Sequence, residues 1–152
     1  MDSEIDELCK GFPVWILLPI QWGDQDAFGH VNNTVYLRWF ESVRIAYARQ
    51  IDLGDVVEGK RVGPILAAIC CQYRRQLTFP DTVHVGARIT RIGRSSLTME
   101  HRVVSESLQA IAAEGDSTLV TFDYAAQKSI ALPADVRARI EALEGKVFPA
   151  KV

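Results

Sequence analysis

Apolar residues recur along this chain with two periods, and the change of period divides it into elements. From Val14 to Trp22 the residues are β-branched and aromatic enough for a strand, and Pro19 within it argues for an edge position or a bulge. From Asn33 to about Gln50 the period becomes helical. Tyr36, Trp39, Phe40, Val43, Ala46 and Tyr47 fall on one face, with Arg38, Glu41, Ser42 and Arg49 off it. Asn32 or Asn33 suits the N-cap, and Gly54 and Gly59 mark the loop that follows. Four strand-like runs come next. Pro64 to Thr78 is the first; Val83, Val85, Ala87 and Ile89 carry the second; Leu97, Met99, His101 and Val103 the third; Ile111 to Tyr124 is the last. Pro80-Asp81 and Gly93-Arg94-Ser95 read as turns, and Gly115 reads as a bulge. Pro133 to Leu143 is a short terminal helix with Gly145 past its end, and residues 1–12 are a loose or helical lead-in.

Strands joined by tight turns pair antiparallel, and one long helix with a broad aromatic face needs a sheet to cover it. The expected fold is therefore α+β: a curved antiparallel sheet of about five strands wrapped around one central helix. Its outer face and edges would be partly apolar, which suggests an oligomer.

Composition narrows the function. At 152 residues the chain is most simply one domain, long enough to bury a core without disulfides or metal. A net charge of −2 leaves no electrostatic footprint for nucleic acid or an anionic membrane, and neither is expected as a partner. Cys9, Cys70 and Cys71 do not make a disulfide framework, so the expected location is cytoplasmic. The N-terminus is acidic where a secretion signal would be basic, and no apolar run is long enough to span a bilayer.

The chemistry is concentrated in Asp24-Gln25-Asp26-Ala27-Phe28-Gly29-His30-Val31-Asn32-Asn33, a polar loop running straight into the helix. Backbone N–H groups at a helix start have no intrahelical partner and carry the positive end of the dipole. A nearby carboxylate supplies a base or a nucleophile. Together they suit attack on a carbonyl. Asp24 and Asp26 also have a simpler reading as loop and capping residues, and of the two Asp24 is the more structural. A calcium loop is rejected, because Phe28 and Val35 stand where oxygen ligands are required. The three histidines have no ligand spacing, so no metal is expected. There is no G-x-S-x-G nucleophile elbow.

The run Gly23-Asp24-Gln25-Asp26-Ala27-Phe28-Gly29-His30-Val31-Asn32-Asn33, then Tyr36, then Phe40-Glu41-Ser42-Val43-Arg44, resembles the hot-dog-fold acyl-CoA thioesterases of the 4-hydroxybenzoyl-CoA thioesterase branch. The likeness extends more loosely over roughly residues 14–133. It implies hydrolysis of an acyl-CoA to a free acid and CoA with no cofactor, by a homodimer or homotetramer with sites at subunit interfaces. It makes Asp26 the catalytic carboxylate, as nucleophile or as base for water, and the Asn33 N–H the oxyanion donor. Gly29 would let substrate approach the backbone. His30 would orient the loop or contact substrate, and Asn32 would fix the loop. Tyr36 and Trp39 would shape the acyl pocket. The resemblance also assigns the CoA phosphates to the turn holding Arg91, Arg94, Ser95 and Ser96, which is less basic here than in the best-known members. A second lineage of the fold uses a helical glutamate, which makes Glu41 the alternative carboxylate. Two other functions stay open: a hydratase or dehydratase on the same fold, for which the Asp26–His30 spacing is short, and a non-catalytic binder of acyl-CoA or acyl-carrier protein.

Overall fold

The computed structural model describes residues 3–54 and 61–149; Gly59, expected in a loop, lies outside them. The elements follow the order α1 (Ser3–Leu8), β1 (Val14–Pro19), a 3₁₀ turn (Trp22–Asp24), α2 (Asn33–Gln50), β2 (Val62–Tyr73), β3 (Thr82–Ile92), β4 (Ser96–Ser105), β5 (Ala110–Asp123), β6 (Lys128–Ser129) and α3 (Ala134–Glu144). The strands form one antiparallel sheet in the order β1-β3-β4-β5-β2, with the two-residue β6 added against β5. β1 is an edge strand, one of the two positions Pro19 argues for, because proline has no N–H to donate and an edge strand leaves one side without a ladder.

Helix α2 lies in the hollow of this sheet and is the core of the molecule. Phe40, Val43 and Tyr47 are fully buried, against Val85, Ala87, Ile89 and Val103 from the strands. Each such side chain contributes about 1.5–3 kcal/mol of burial. The buried stripe is wider than the apolar residues alone suggest. Arg44 lies on it, and its Nη1 donates to the Ser117 hydroxyl at 3.3 Å in the interior.

Gly115 is not a bulge. It sits in regular register opposite His101 on β4 and Cys71 on β2. The irregular positions are Ala67, Thr90 and Ala112, where the registers shift. Gly115 is required by close approach instead: a Cβ there would come within 2.0 Å of the Cys70 carbonyl and 2.9 Å of the Phe40 ring. That lets the Phe40 ring stack on His101, with centroids 4.5 Å apart and planes 19° apart.

β2 also ends sooner than its apolar run predicts. The Arg74 and Arg75 N–H groups both donate to the single carbonyl of Ala112, and the ladder stops at Tyr73. The chain then turns, and Leu77 O accepts from Val31 N–H at 2.8 Å. That bond ties the end of β2 to the loop before α2.

Of the outer face and edges of the sheet, both expected to be partly apolar, the face carries paired charges and the apolar part lies at the edges. Arg88 pairs with Glu100 and Arg102 with Glu114, and both guanidinium groups clasp the Phe12 ring, at 4.4 and 4.9 Å from its centroid. Exposed apolar side chains sit on the edge strands instead: Leu17 on β1, and Ile65 and Leu66 on β2. Among the described residues no helix is long and apolar enough to cross a membrane.

Candidate active site

The polar loop is built by its own side chains. Asp24 Oδ2 accepts from Gln21 N–H at 2.8 Å and caps the 3₁₀ turn, which is the structural role expected of it. Asp26 N–H donates to His30 O at 3.0 Å, and Gly29 N–H returns to Asp26 O at 3.0 Å, closing a tight turn. Gly29 holds φ at 83°, where a side chain is strained, and nothing crowds its Cβ position; the glycine is needed for the turn's conformation.

The Asp26 carboxylate is half-buried and anchored at both oxygens. Oδ1 accepts from Phe28 N–H at 2.9 Å and Oδ2 from the Asn32 side-chain amide at 3.1 Å. A carboxylate has about four lone-pair sites, so two remain for a substrate or a water.

Asn32 is the N-cap of α2. Its Oδ1 accepts from Thr34 N–H at 2.9 Å, its own N–H donates to Asp24 O at 2.9 Å, and its carbonyl accepts from Val35 N–H at 3.0 Å. The Asn33 N–H is left with no acceptor among the described residues. It stands at the first position of an 18-residue helix, where the dipole favours negative charge.

Beside it opens a cleft of about 290 Å³ whose walls include His30, Asn33, Tyr36, Tyr73, Arg74 and Arg75. The Tyr73 hydroxyl donates to Asn33 O at 3.1 Å and the Tyr36 hydroxyl to Arg75 O at 3.3 Å. The two rings meet edge to face at 5.0 Å, and Tyr36 packs on Trp39 at 5.1 Å. Burial, with smaller contributions from Cys71 and Tyr73, pushes the Tyr36 phenol up to about 12, so it stays a neutral donor. Burial likewise raises the Cys71 thiol, which makes it a poor nucleophile.

Asp26 does not line this cleft within one chain; it sits behind the cap, bonded to Asn32. Glu41 is exposed and about 12 Å further along the helix axis from Asn33. It borders a separate cleft of about 230 Å³ with Arg44, Pro64 and Leu66. Arg91 and Arg94 are exposed, and Ser95 and Ser96 half-buried, at the turn between β3 and β4. That turn lies at the opposite end of the sheet. The loop after β1 is held at the Thr82 end of β3, where Ile20 N–H donates to Asp81 O, and β3 then runs roughly 35 Å to Ile92. One chain therefore joins Asp26, Gly29, His30, Asn32, Asn33 and Tyr36, and keeps the turn and Glu41 apart from them.

Tyr73, Arg74 and Arg75 are the cleft residues the sequence reading passed over. The available signal was a tyrosine and two arginines in succession just before a turn.

A curled antiparallel sheet around one long helix, with a carboxylate-bearing loop at the helix start, defines the hot-dog class. The chain belongs to the thioesterase-like superfamily, which it matches over residues 20–140. It is similar to a thioesterase from Thermus thermophilus solved with coenzyme A and zinc: 37% identity, TM-score 0.81, covering 91% of this chain and 99% of that one. It is also similar to the PA2801 protein of Pseudomonas aeruginosa, at 34% identity and TM-score 0.76 over 85% of this chain and 98% of that one. The long-chain acyl-CoA thioesterase FadM of Escherichia coli is 23% identical over 116 residues, 76% of this chain and 88% of that protein.

Proposed function

We propose that this protein hydrolyses acyl-CoA thioesters to free acid and CoA, with Asp26 as the carboxylate and the Asn33 N–H as the oxyanion donor. The observation that carries the reading is the one backbone donor left open at the start of α2, beside a cleft, with the Asp26 carboxylate anchored behind its cap. A donor of this kind is worth about 2.7–4 kcal/mol in the transition state when it is fixed in advance. A thiolate leaves readily, so no strong general acid is required. Asp26 adds to the carbonyl carbon, or takes a proton from the water that does; the tetrahedral oxyanion forms against Asn33 N–H; the C–S bond then breaks and CoA departs as thiolate. In the first route this leaves the acyl group on Asp26 as a mixed anhydride, which water then hydrolyses to free acid and the restored carboxylate; in the second the free acid forms directly.

The working form is a homodimer or homotetramer in the cytoplasm, and no bound cofactor is needed. Two findings support more than one copy. The long β2 edge is unpaired and carries exposed Ile65 and Leu66, which a second chain would cover. The Arg91–Ser96 turn is too far from Asn33 to serve the same substrate within one chain. In an assembly, Arg91, Arg94, Ser95 and Ser96 of one copy would hold the phosphates of CoA bound at another copy's cleft.

The test is thiol release from short, long and aromatic acyl-CoAs by wild type and Asp26→Asn. The expected result is turnover in wild type and a fall in kcat of about a thousandfold in the variant, with a small change in KM, as expected for loss of a nucleophile or base. Full turnover in the variant would move the role to Glu41. Absence of turnover in wild type on every thioester would favour the binding-protein reading.

A further inference from the structure

Resting on the thioesterase reading, we propose that Arg75 selects the acyl group: the cleft beside Asn33 takes acyl-CoAs whose acyl part carries a carboxylate, and the Arg75 guanidinium receives it.

The cleft is rich in donors. Asn33 N–H, His30, Arg74 and Arg75 face it, no carboxylate is among its lining residues, and it lies at the positive end of α2. The arginines of the outer face are different, because Arg88 and Arg102 are each paired with a glutamate at 2.6 and 2.9 Å. Arg74 reaches Glu114 only at 3.7 Å, and Glu114 is already held by Arg102. Arg75 has no acidic partner among the described residues. Within one copy and among the described residues it is a cation without an ion-pair partner, beside the point where the thioester carbonyl would sit.

Its place is fixed from two sides. Tyr73, two residues back, bonds the Asn33 carbonyl, and the Arg75 carbonyl accepts from Tyr36. The backbone is thus set by groups other than the Arg75 side chain, which is free to answer to a ligand.

The substrate's own chemistry says which anion that ligand carries. Between the sulfur of CoA and its first phosphate the pantetheine arm holds amides and a hydroxyl, with no charge. Arg75 and Asn33 line one cleft of about 290 Å³, whereas the extended arm carries the first phosphate well away from the sulfur. An anion that meets Arg75 while the carbonyl meets Asn33 N–H therefore belongs to the acyl group. Guanidinium and carboxylate match as a two-pronged pair. Tyr36 and Tyr73, set edge to face, make an aromatic corner beside Arg75 that suits an aryl or short acyl body.

The experiment measures kcat/KM for two matched pairs, 4-carboxybenzoyl-CoA with 4-methylbenzoyl-CoA and adipoyl-CoA with hexanoyl-CoA, in wild type, Arg75→Gln and Arg75→Glu. The readout is the ratio within each pair. Wild type should favour the carboxylated member. Arg75→Gln should lower that ratio about tenfold, the usual worth of one charge-assisted contact in a partly open site, and Arg75→Glu should lower it further. Because Arg75 is exposed and its backbone bonds do not involve the side chain, both variants should fold, as circular dichroism will report. A wild-type ratio at or below one in both pairs overturns the inference. So does a uniform loss across all four substrates in the variants, which would assign Arg75 to CoA itself. No turnover of any of the four by a wild type that still cleaves a long-chain acyl-CoA overturns this inference and leaves the thioesterase reading standing; no turnover of the long-chain substrate either overturns both.

Discussion

The start of α2 and its middle, about two turns apart on one helix, are built on opposite principles. At the start the helix faces an open cleft. Its Asn33 donor has no acceptor among the described residues, two arginines stand beside it, and His30 is half-exposed. In the middle Phe40 is pressed onto Gly115 and His101 with no room for one methyl group. There Arg44, Ser117 and His101 form a buried polar chain that meets the surface only where Arg44 borders the cleft beside Glu41, with His101 Nε2 2.7 Å from the Ser117 hydroxyl. The difference shows how such a fold divides labour. A close-packed middle has one low-energy arrangement, so it holds the axis of the helix fixed. A fixed axis is what makes an unsatisfied donor at its end useful, because the donor need not reorganise during the reaction. Substitutions in the middle should therefore move stability and leave substrate preference alone, and substitutions at the start should do the reverse.

The largest stability effect is expected at Gly115. In Gly115→Ala the new methyl meets the Cys70 carbonyl at 2.0 Å and Phe40 at 2.9 Å, and the carbonyl is backbone that cannot rotate away. The expected cost is about 3 kcal/mol, at the upper end for overpacking, measured by urea unfolding. A cost below about 1 kcal/mol would mean that the β2–β5 pair gives easily, and the middle would not be the rigid element. The ratio between substrates in the surviving folded enzyme should not change.

Gly115 also marks where the sequence stopped being informative. The bounds of α2 could be read from its period, and its cap from Asn32, because both are local facts. One proline narrowed β1 to an edge position or a bulge, and the strand order decides for the edge. Gly115 was legible as special but not as to why: a glycine inside a strand marks either a bulge or a close approach, and only the packing of Phe40 decides. Arg44 falls at helical spacing from Phe40, yet its charge argued for solvent, and the Ser117 hydroxyl that receives it is 73 residues away. The loop's chemistry was legible because Asp26, Asn32 and Asn33 lie within eight residues. Arg75 was not, because its nearness to Asn33 is made by Tyr73 and Tyr36 across the fold. The Arg91–Ser96 turn could be recognised, but its distance from the loop depends on how β1 and β3 pair.

A second test of the buried middle is its response to acid. His101 is buried, its Nδ1 has no partner, and burial, with the Arg44 charge as a smaller cause, lowers its pKa to about 3. An imidazole titrates near 6.5 in the unfolded chain, so below that pH the unfolded state binds a proton that the folded state refuses. The stability tied to His101 is thus complete above about pH 6.5 and is lost as the pH falls toward 3. Between pH 7 and 5 wild type should lose about 2 kcal/mol more than His101→Gln, read from unfolding curves at the two pH values. Parallel losses in the two proteins would mean that water reaches the ring, and the middle of the helix would be no drier than its start.

The smallest effect on stability is expected at the open end, and it separates the two regions most sharply. Tyr73 is exposed, and its hydroxyl bonds the Asn33 carbonyl at 3.1 Å. Tyr73→Phe removes that bond and the hydroxyl's weaker contact with the Cys71 thiol in a solvated position, so the unfolding free energy should fall by only about 0.5–1 kcal/mol. The same bond fixes the residue whose N–H is to meet the oxyanion. Loosening it should lower kcat several-fold while KM stays nearly constant, because a donor that must reorient weakens the transition state more than the bound ground state. A merely structural tyrosine would change stability alone. If kcat and KM are both unmoved, the Asn33 peptide is held by its helix and cap without help from β2. If KM rises and kcat holds, Tyr73 is a wall of the acyl site and no more. Only a fall in kcat at nearly constant stability makes the free donor at the start of α2 depend on a strand that the helix period could not reveal.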